Sequence, residues 1–426
     1  MNILLTHGYS KDNRGDAAIV SAMVDKLRVL YPSAVLSLVT LDRFQQGAKF
    51  EGVDLLHAFF YSAIYTSRST LFRILRTIKM LATTLIWAAL FRLLGTEIDL
   101  LLNENELETI RAYKNAHTIL AVGGGYLVGK NTLHDTVTVI VQLHAIIVGV
   151  ILKKPVVLFS QSIGPFGNWV QQVLSSFVLN MVSIIMPREP LSTANLRELK
   201  VVKPNIAETA DVAFLFESSG QAEVKQILSK LGVQDLTKLV AITVRNWLDI
   251  EKQESYEQAV AKFAQYLVTQ GYTVLFVPQV TSAFHNDDDT VVNDRIKVLL
   301  TSGQQSIYFL PNSFNFRQTK SVFEICKYVV GTRMHSVIFA LTSRVPALAI
   351  AYERKTVGIM SSFGLQEYII PMEQVTAELL EQNFLKLNSH HAEYLVKLDA
   401  HMPIEQERAE RAFLEVQAFV VKNGLV

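Results

Sequence analysis

The side chains best suited to chemistry stand in one short segment, Gly331-Thr332-Arg333-Met334-His335-Ser336. It follows an apolar predicted strand at residues 328–331 and opens a predicted helix at residues 335–342. A helix N-terminus favours anions through its dipole and its N–H groups. Histidine exchanges a proton near neutral pH. Arg333 and His335 therefore predict an anion site with an acid–base group, and Thr332 and Ser336 flank it.

Further cationic side chains follow other predicted strands. Lys355 comes after the strand predicted at residues 347–351, and Arg188 comes after the strand predicted at residues 184–186. Arginine binds carboxylate and phosphate groups through paired N–H donors. The pattern favours convergence of Arg333, Lys355 and Arg188 on one anionic ligand. A pair of surface charges, Arg188 with Glu189, is the alternative.

Polar and glycine-rich segments follow predicted strands in the first half of the chain. They are Asn13-Arg14-Gly15-Asp16-Ala17-Ala18-Ile19, Gly123-Gly124-Gly125 and Gln161-Ser162-Ile163-Gly164-Pro165-Phe166. Asn13, Asp16, Gln161 and Ser162 offer polar groups to a sugar, and glycine lets the backbone approach a ligand closely. Structural alternatives stay open. Asp16 is a candidate N-cap of the next helix, the glycines suit a flexible turn, and Gly164 with Pro165 suits a structural turn.

The acidic run His285-Asn286-Asp287-Asp288-Asp289 could hold a divalent metal. A solvated loop that caps a helix predicted from Asp288 is the preferred interpretation, so we predict no metal site. The chain has one cysteine, Cys326, which excludes an intrachain disulfide and a cysteine-based zinc site.

Predicted strands and helices alternate along the chain. The predicted strands comprise residues 2–6, 35–40, 118–122, 156–160, 184–186, 239–244, 273–277, 306–309, 328–331 and 347–351. The predicted helices comprise residues 16–30, part of 68–94, 137–152, 169–180, 220–236, 256–269, 288–301, 316–326, 335–342 and 403–422. Alternation of this kind predicts parallel sheets covered by helices.

The fold class expected is therefore α/β, with two Rossmann-like domains facing across a cleft, as in B-type glycosyltransferases. Ligands of such sheets bind beyond the carboxyl ends of the strands. The expected domains are residues 1–190, with a basic and apolar helical insertion at about 60–102, and residues 191–385. A C-terminal helical segment, residues 386–426, follows.

Charge and hydropathy limit the partners. Forty Lys and Arg residues face 39 Asp and Glu residues, a net charge of +1 that argues against a nucleic-acid partner. A mean hydropathy of +0.25 raises the question of a membrane contact. No signal peptide is recognised at the N-terminus, so we expect a cytoplasmic protein.

Two apolar stretches bear on that membrane question. Residues 80–91 are too few to span a bilayer, and Gln142 and His144 interrupt residues 136–152. Before the first stretch, basic and apolar residues alternate at helical spacing. The basic ones are Arg68, Arg73, Arg76 and Lys79, and the apolar ones are Leu71, Phe72, Leu75 and Ile78. Such a helix either lies on an anionic membrane or packs on its own domain.

Taken together, the motifs resemble the polysaccharide pyruvyl transferase family. The resemblance is carried by the segments at 13–19, 123–125, 161–165 and 331–335, with Arg188, Glu189, Asp211 and Lys355. It implies a B-type glycosyltransferase-like fold that moves a pyruvyl group from phosphoenolpyruvate onto a sugar as a ketal. Acceptors in the family are sugars of exopolysaccharides, of cell-wall polymers or of their lipid-linked precursors. Phosphoenolpyruvate is then a substrate, and no cofactor is expected.

The resemblance also implies roles for individual residues. His335 matches the motif histidine that acts as general acid, and Arg188, Arg333 and Lys355 match the cations around phosphoenolpyruvate. Asn13, Asp16 and the glycine triplet would face the acceptor. The first domain would then bind the acceptor and the second the phosphoenolpyruvate. Two other hypotheses stay open: a nucleotide-sugar-dependent glycosyltransferase and a non-catalytic scaffold for polysaccharide assembly.

Overall fold

A computed structural model describes residues 1–41, 50, 52–60, 70–99, 102–281, 287–300 and 305–425. The chain divides into two compact units. The first comprises residues 1–10, 19–212 and 408–426, and the second comprises residues 11–18 and 213–407. The predicted boundary at residue 190 differs from this division, because a strand at Asn205–Ile206 still pairs with the first sheet.

The first unit contains a parallel sheet built from strongly apolar strands. Its strands are β1 (Asn2–Gly8), β2 (Val35–Thr40), β3 (Asp54–His57), β4 (Thr118–Ala121), β5 (Gly124–Gly129), β6 (Val156–Phe166), β7 (Ile184–Pro187) and β8 (Asn205–Ile206). Their order is β3-β2-β1-β4-β6-β7-β8, and β5 also pairs with β6. The sequence did not predict β3, β5 and β8. Strand β5 was missed because its first two residues, Gly124 and Gly125, were interpreted as part of a turn.

Helices cover this sheet. They are α1 (Arg14–Leu30), whose first residues belong to the second unit, α2 (Thr70–Leu94), α3 (Glu104–Asn115), α4 (Leu133–Ile151), α5 (Trp169–Leu179) and α6 (Pro190–Glu198). Helix α4 packs between α2 and α5. Its inner residues Val139, Leu143 and Ile146 are buried in one core with Trp87 of α2. Arg68, expected at the start of α2, lies outside the described residues.

Two helices of the described chain are long and apolar enough to cross a membrane, Phe72–Leu94 and Leu133–Ile151. Core helices of soluble proteins meet the same criterion. His144 in the middle of α4 is buried and hydrogen-bonded to Thr84 Oγ1 at 2.7 Å. Burial lowers the pKa of His144 to about 4, so this histidine is neutral at pH 7.

The second unit contains another parallel sheet. Its strands are β9 (Leu239–Thr243), β10 (Thr273–Phe276), β11 (Ile307–Phe309), β12 (Tyr328–Gly331), β13 (Ala347–Ala351) and β14 (Ile369–Pro371), in the order β11-β10-β9-β12-β13-β14. The helices are α7 (Gln221–Lys230), α8 (Ile250–Thr269), α9 (Asp289–Leu299), α10 (Phe316–Glu324), α11 (Met334–Thr342), α12 (Arg354–Ser362), α13 (Ala377–Ser389) and the first part of α14 (His391–Lys422).

The last helix was predicted from residue 403, and this start was wrong. Helix α14 begins at His391, and Pro403 lies inside it. An interior proline removes one helical hydrogen bond and costs roughly 3 kcal/mol. Packing offsets that cost, because Tyr394 and Leu398 before the proline and Phe413 and Val416 after it are fully buried.

Candidate functional site

His335 occupies the second position of α11, directly beyond the carboxyl end of β12. The strand and the helix approach closely at Gly331, where a Cβ atom would lie 2.8 Å from Val337 Cγ2 and 2.9 Å from Ser336 Oγ. The N-cap residue Arg333 forms no side-chain cap hydrogen bond. The sequence prediction of a strand–helix junction at this segment is confirmed.

The N-terminal motif packs against His335. A Cβ atom on Gly15 would lie 2.0 Å from Nδ1 of the imidazole, so only glycine fits there. The expected domain division placed this motif in the first domain. The structure places residues 11–18 in the second unit, because their backbone pairs with the segment after β10. Arg14 N donates to Gln279 O at 3.0 Å, and Thr281 N donates to Asp12 O at 2.9 Å.

Arg14, which the sequence analysis assigned no role, anchors this motif. Its buried guanidinium donates to the carbonyl oxygens of Pro278 at 2.8 Å and Phe314 at 3.1 Å. These residues follow β10 and β11, so one side chain ties Gly15 to the carboxyl ends of two strands. Burial lowers the pKa of Arg14 to about 10, which leaves it charged at pH 7.

Asn13 and Asp16 interact with each other. Helix α1 begins at Arg14, so the predicted N-cap role of Asp16 was wrong and Asn13 occupies that position. The Asn13 Oδ1 atom accepts from the backbone N–H groups of Gly15 and Asp16 at 3.2 and 3.3 Å. Its Nδ2 donates to Asp16 Oδ2 at 2.7 Å. Asn13 thereby satisfies two N–H groups of the first turn.

Arg333 is held by two carboxylates. Its Nε and Nη2 donate to Asp289 Oδ1, and its Nη1 and Nη2 donate to Asp287 at 3.1 and 2.6 Å. These bonds use four of the five N–H donors of the guanidinium. Burial opposes the charge, but the carboxylates of Asp289 and Asp287 outweigh it, so the pKa of Arg333 is raised.

The carboxylates that bind Arg333 belong to the acidic run considered for a metal. Asp289 is fully buried and also accepts from the N–H groups of Gln279 and Val280 at 2.8 and 2.9 Å. Asp288 caps α9 as predicted, but its neighbour Asp289 is not solvated. His285 and Asn286 lie outside the described residues, and no cluster of metal-ligating side chains occurs within the described ones.

Thr332 and Ser336 are interior residues. The Thr332 hydroxyl contacts Tyr256 Oη at 2.9 Å, and the Ser336 hydroxyl contacts Thr243 Oγ1 at 2.9 Å. Both side chains are fully buried. These contacts hold the junction after β12 against β9 and α8.

Arg245 is a cation at the same sheet edge that the sequence analysis missed. It follows β9 by two residues, and its guanidinium stacks on Trp247 and Tyr352 at 4.4 and 4.1 Å from the ring centroids. Its Nη2 lies 3.4 Å from Asp287 Oδ2, and its buried Nε has no hydrogen-bond partner among the described residues. Arg245 directly follows the strand predicted at residues 239–244, and this position is the sequence signal by which it could have been found.

Lys355 lies in the first turn of α12, directly after β13. Its Nζ is 3.7 Å from Glu353. The N-cap Glu353 forms no side-chain cap bond, and the buried Thr356 Oγ1 has no partner in the described part of the chain. Because β9, β12 and β13 are adjacent and parallel, Arg245, His335 and Lys355 follow neighbouring strands at one edge of the sheet.

Arg188 lies in the first unit and is not a surface charge. It follows β7, is buried, and donates from Nη1 to Asp211 Oδ2 at 2.5 Å and from Nε to Ser162 Oγ at 2.8 Å. Ser162 in turn donates to Glu189 Oε2 at 3.0 Å. The alternative of an exposed Arg188–Glu189 pair was therefore wrong.

Gln161 lies inside β6, where it is paired with Gly124 at the start of β5 and with Pro187 at the end of β7, and Gly123 lies just beyond the carboxyl end of β4. The predicted end of this strand at residue 160 was wrong, because β6 continues to Phe166. Gln161 Nε2 donates to Ala121 O at 3.1 Å, and the buried Oε1 has no partner among the described residues. A Cβ atom on Gly123 would lie 3.0 Å from Ser160 O, so this glycine permits close packing rather than a flexible turn. Gly164 has a φ of +68° and approaches Asn195 closely.

His7 and Tyr126 stack beside Gln161 and were not predicted as site residues. Their rings are 4.4 Å apart and nearly parallel, and Tyr126 Oη accepts from Gln161 Nε2 at 2.6 Å. His7 has a φ of +64°, a backbone conformation that costs energy for a residue with a side chain. Burial lowers the pKa of His7 to about 4.

Solved structures define the class of fold. The chain matches a UDP-N-acetylglucosamine 2-epimerase, described as putative, from Listeria monocytogenes over 99% of its length and 97% of that chain, with a TM-score of 0.62 and 13% identity. It matches Anabaena Alr3699/HepE in complex with UDP over 99% and 100%, with a TM-score of 0.55 and 12% identity. The fold is the B-type glycosyltransferase fold, as predicted.

Sequence comparison then gives the family. A family model described as polysaccharide pyruvyl transferase matches residues 13–354. The chain is also 24% identical to the amylovoran biosynthesis protein AmsJ of Erwinia amylovora over 384 residues, 86% of this chain and 87% of that protein. This chain belongs to the polysaccharide pyruvyl transferase family, and the family predicted from the motifs is confirmed.

Proposed function

We propose that this protein transfers the pyruvyl group of phosphoenolpyruvate to two hydroxyl groups of one sugar in a surface polysaccharide or its lipid-linked precursor. The products are a cyclic ketal and inorganic phosphate. The observation that carries the proposal is the alignment of Arg245, His335 and Lys355 after three neighbouring parallel strands. The match to the family over residues 13–354 supports the same reaction.

The donor carries a carboxylate and a phosphate on one enol carbon, so its site needs cations and N–H donors. The N-termini of α11 and α12 follow adjacent strands, and neither has a side-chain cap. Such termini bind phosphate and carboxylate groups. Arg245 and Lys355 add positive charge there, and Thr356 offers a buried hydroxyl. We assign the donor anion to these groups and give Arg333, already bound to Asp287 and Asp289, a positioning role.

His335 acts as the general acid in this mechanism. It donates a proton to the methylene carbon, and the enol carbon becomes electrophilic. One sugar hydroxyl adds to that carbon and releases a proton, which restores the charged imidazole. The second hydroxyl displaces phosphate, which carries away the second proton. General-acid catalysis of this kind contributes typically ~10²–10⁴-fold in rate. The residues that perform these steps need no cofactor.

The first unit offers the candidate acceptor groups. Gln161 presents a buried carbonyl oxygen with no partner in the described chain, beside the stacked pair of His7 and Tyr126. Amide oxygens accept hydrogen bonds from hydroxyl groups, and aromatic rings pack on the apolar faces of sugars. We propose that this edge of the first sheet binds the acceptor sugar. As parts of the same proposal, the protein acts in the cytoplasm and uses phosphoenolpyruvate as its donor substrate.

Calorimetric titration tests which donor substrate the protein binds. Purified protein is titrated separately with phosphoenolpyruvate, UDP-sugar and GDP-sugar, and the titrations are repeated with Arg245→Gln. Arg344→Gln is the matched control, because Arg344 is an exposed arginine of the same unit that pairs with Asp399. We expect phosphoenolpyruvate to bind wild type and the control, and to bind Arg245→Gln at least tenfold more weakly. Binding of a nucleotide sugar instead would identify a glycosyltransferase.

A rate measurement separates chemistry from binding. His335→Gln should bind phosphoenolpyruvate with nearly wild-type affinity and release phosphate in the presence of acceptor at least 100-fold more slowly. A variant that retains the rate would show that another group donates the proton.

A further inference from the structure

We propose that the first turns of α2 form a docking surface for an anionic lipid bilayer. Residues 72–79 of α2 are exposed except for the half-buried Thr77. Among them, Ile74, Leu75 and Ile78 are 51%, 55% and 57% exposed. The middle turns of the same helix contact the core, where Met80, Trp87 and Ala88 are buried, and the last residues, Leu93 and Leu94, are exposed again. The helix is therefore anchored through its middle turns, and its first turns present large apolar side chains beside basic ones.

The arrangement of these residues around the helix is amphipathic. At about 100° per residue, Ile74, Ile78 and Leu75 fall within an arc of about 100°. Arg73 and Lys79 fall outside that arc, on either side of it. Long basic side chains in these positions extend to lipid phosphates while the apolar arc enters the acyl boundary.

Charge identifies the occupant as an anionic surface. The first turns of α2 contain three basic residues, Arg73, Arg76 and Lys79, and no acidic residue occurs over Thr70–Leu94. Its positive charge is thus local, because the whole chain carries only +1. A bilayer with acidic headgroups complements both the cations and the apolar arc. The inference does not depend on the donor or the acceptor of the proposed reaction.

A second exposed apolar stripe provides an internal comparison. Trp169, Val173 and Phe177 lie on one face of α5 and are 72%, 56% and 65% exposed. No charged residue occurs in Trp169–Leu179. If apolar exposure alone caused vesicle binding, this stripe would bind as well as α2. If vesicle binding requires basic side chains beside the apolar ones, only the surface on α2 should contribute to it.

Co-sedimentation with vesicles tests the proposal. The vesicles are phosphatidylcholine alone and a 7:3 mixture with phosphatidylglycerol, at low and at high salt. Wild type should bind the anionic vesicles at low salt and dissociate at high salt. Arg73→Gln with Lys79→Gln should weaken binding about 30-fold. The matched control, Lys225→Gln with Lys230→Gln on α7, removes the same charge from an exposed helix and should leave binding unchanged.

Apolar variants complete the test. Ile74→Ser with Ile78→Ser should abolish binding, and Val173→Ser with Phe177→Ser should leave it intact, with circular dichroism as the folding control for each. Absence of binding to anionic vesicles overturns the proposal. So does a loss of binding that is equal for the α5 and α2 variants. Sedimentation velocity of the vesicle-free protein tests whether a second copy of the chain occupies this surface instead. If the wild type is a dimer that Ile74→Ser with Ile78→Ser dissociates, and it does not bind vesicles, the membrane proposal is overturned.

Discussion

The imidazole of His335 packs directly on the Cα atom of Gly15, 320 residues earlier in the chain. A Cβ atom at position 15 would lie 2.0, 2.4 and 2.8 Å from three atoms of the histidine side chain. Any side chain at position 15 therefore displaces the ring. The segment around Gly15 and the segment around His335 therefore pack against each other, and Arg14 fixes the first of them through the carbonyl oxygens of Pro278 and Phe314.

Gly15→Ala should displace His335 and slow catalysis. A misplacement of about 1 Å costs on the order of 100-fold in rate. We expect this loss in phosphate release, with phosphoenolpyruvate affinity changed less. The matched control is Gly358→Ala in α12, where a Cβ atom would meet nothing within 4 Å. The interpretation fails if Gly15→Ala keeps the wild-type rate or if Gly358→Ala loses it.

Arg333→Ala should destabilise the second unit, because it leaves the buried Asp289 carboxylate without its cation. Breaking a buried ion pair costs about 3–5 kcal/mol. Arg245→Gln should cost only about 1 kcal/mol, the value of its stacking on Trp247 and Tyr352. Urea unfolding measures both. If Arg333→Ala and Arg245→Gln lower the free energy of unfolding equally, Arg333 does not have the structural role assigned to it.

Asn13→Ala should remove the N-cap of α1 and destabilise by about 1 kcal/mol. Asn13→Ser should retain most of that stability, because serine also accepts from the N–H groups of the first turn. Thermal unfolding compares the two variants with wild type. If Asn13 binds the acceptor sugar as well, Asn13→Ser will recover stability without recovering activity. Recovery of both would assign Asn13 a structural role alone.

The pH dependence of stability should report two buried histidines, His144 and His7, because burial lowers the pKa of each to about 4. The pKa of His144 is about 4 in the folded protein and 6.5 in the unfolded chain, so the unfolded state binds more protons between these values. Stability therefore rises with pH across this window and is fully present above pH 6.5. The contribution of one such histidine is about 3 kcal/mol.

His144→Leu should make the fall in the free energy of unfolding between pH 7 and pH 4, measured by urea unfolding, shallower than in wild type, and His7 should account for part of the slope that remains. Thr84 keeps a hydrogen bond to Met80 O at 2.6 Å in the absence of the imidazole, so the loss at pH 7 should be about 1 kcal/mol or less. An acid limb as steep as that of wild type would assign the pH dependence to other groups.

The strands that the sequence predicted contain unbroken apolar runs, such as residues 156–159 at the start of β6 and Ala347–Ala351. The continuation of β6 from residue 161 to Phe166 is polar and glycine-containing, and it was not predicted. Strands β8 and β14 were missed because they have only two and three residues, and their sheet neighbours stabilise them more than their own sequence does. The position of His335 was predictable because a strand end followed by a helix start is a local pattern.

The partners of the site residues were not predictable, because they depend on contacts between distant loops. Arg333 meets Asp289 across 44 residues, and Arg14 meets Phe314 across 300. No local pattern encodes either separation. Arg333 was therefore expected to bind the donor, although its guanidinium is bound to two carboxylates. Arg245 was missed although it stands at a strand end, where the same rule that found Lys355 applies.

The chain passes between its two units four times, after residues 10, 18, 212 and 407. A cut after residue 212 therefore yields two incomplete fragments. The C-terminal fragment lacks Arg14 and Gly15, and the N-terminal fragment lacks Phe413, Val416 and Val420, which are buried in the first unit. We therefore expect neither half to reach its native form when it is expressed alone. Complementation by fragments would require the short N-terminal motif to be supplied with the C-terminal half.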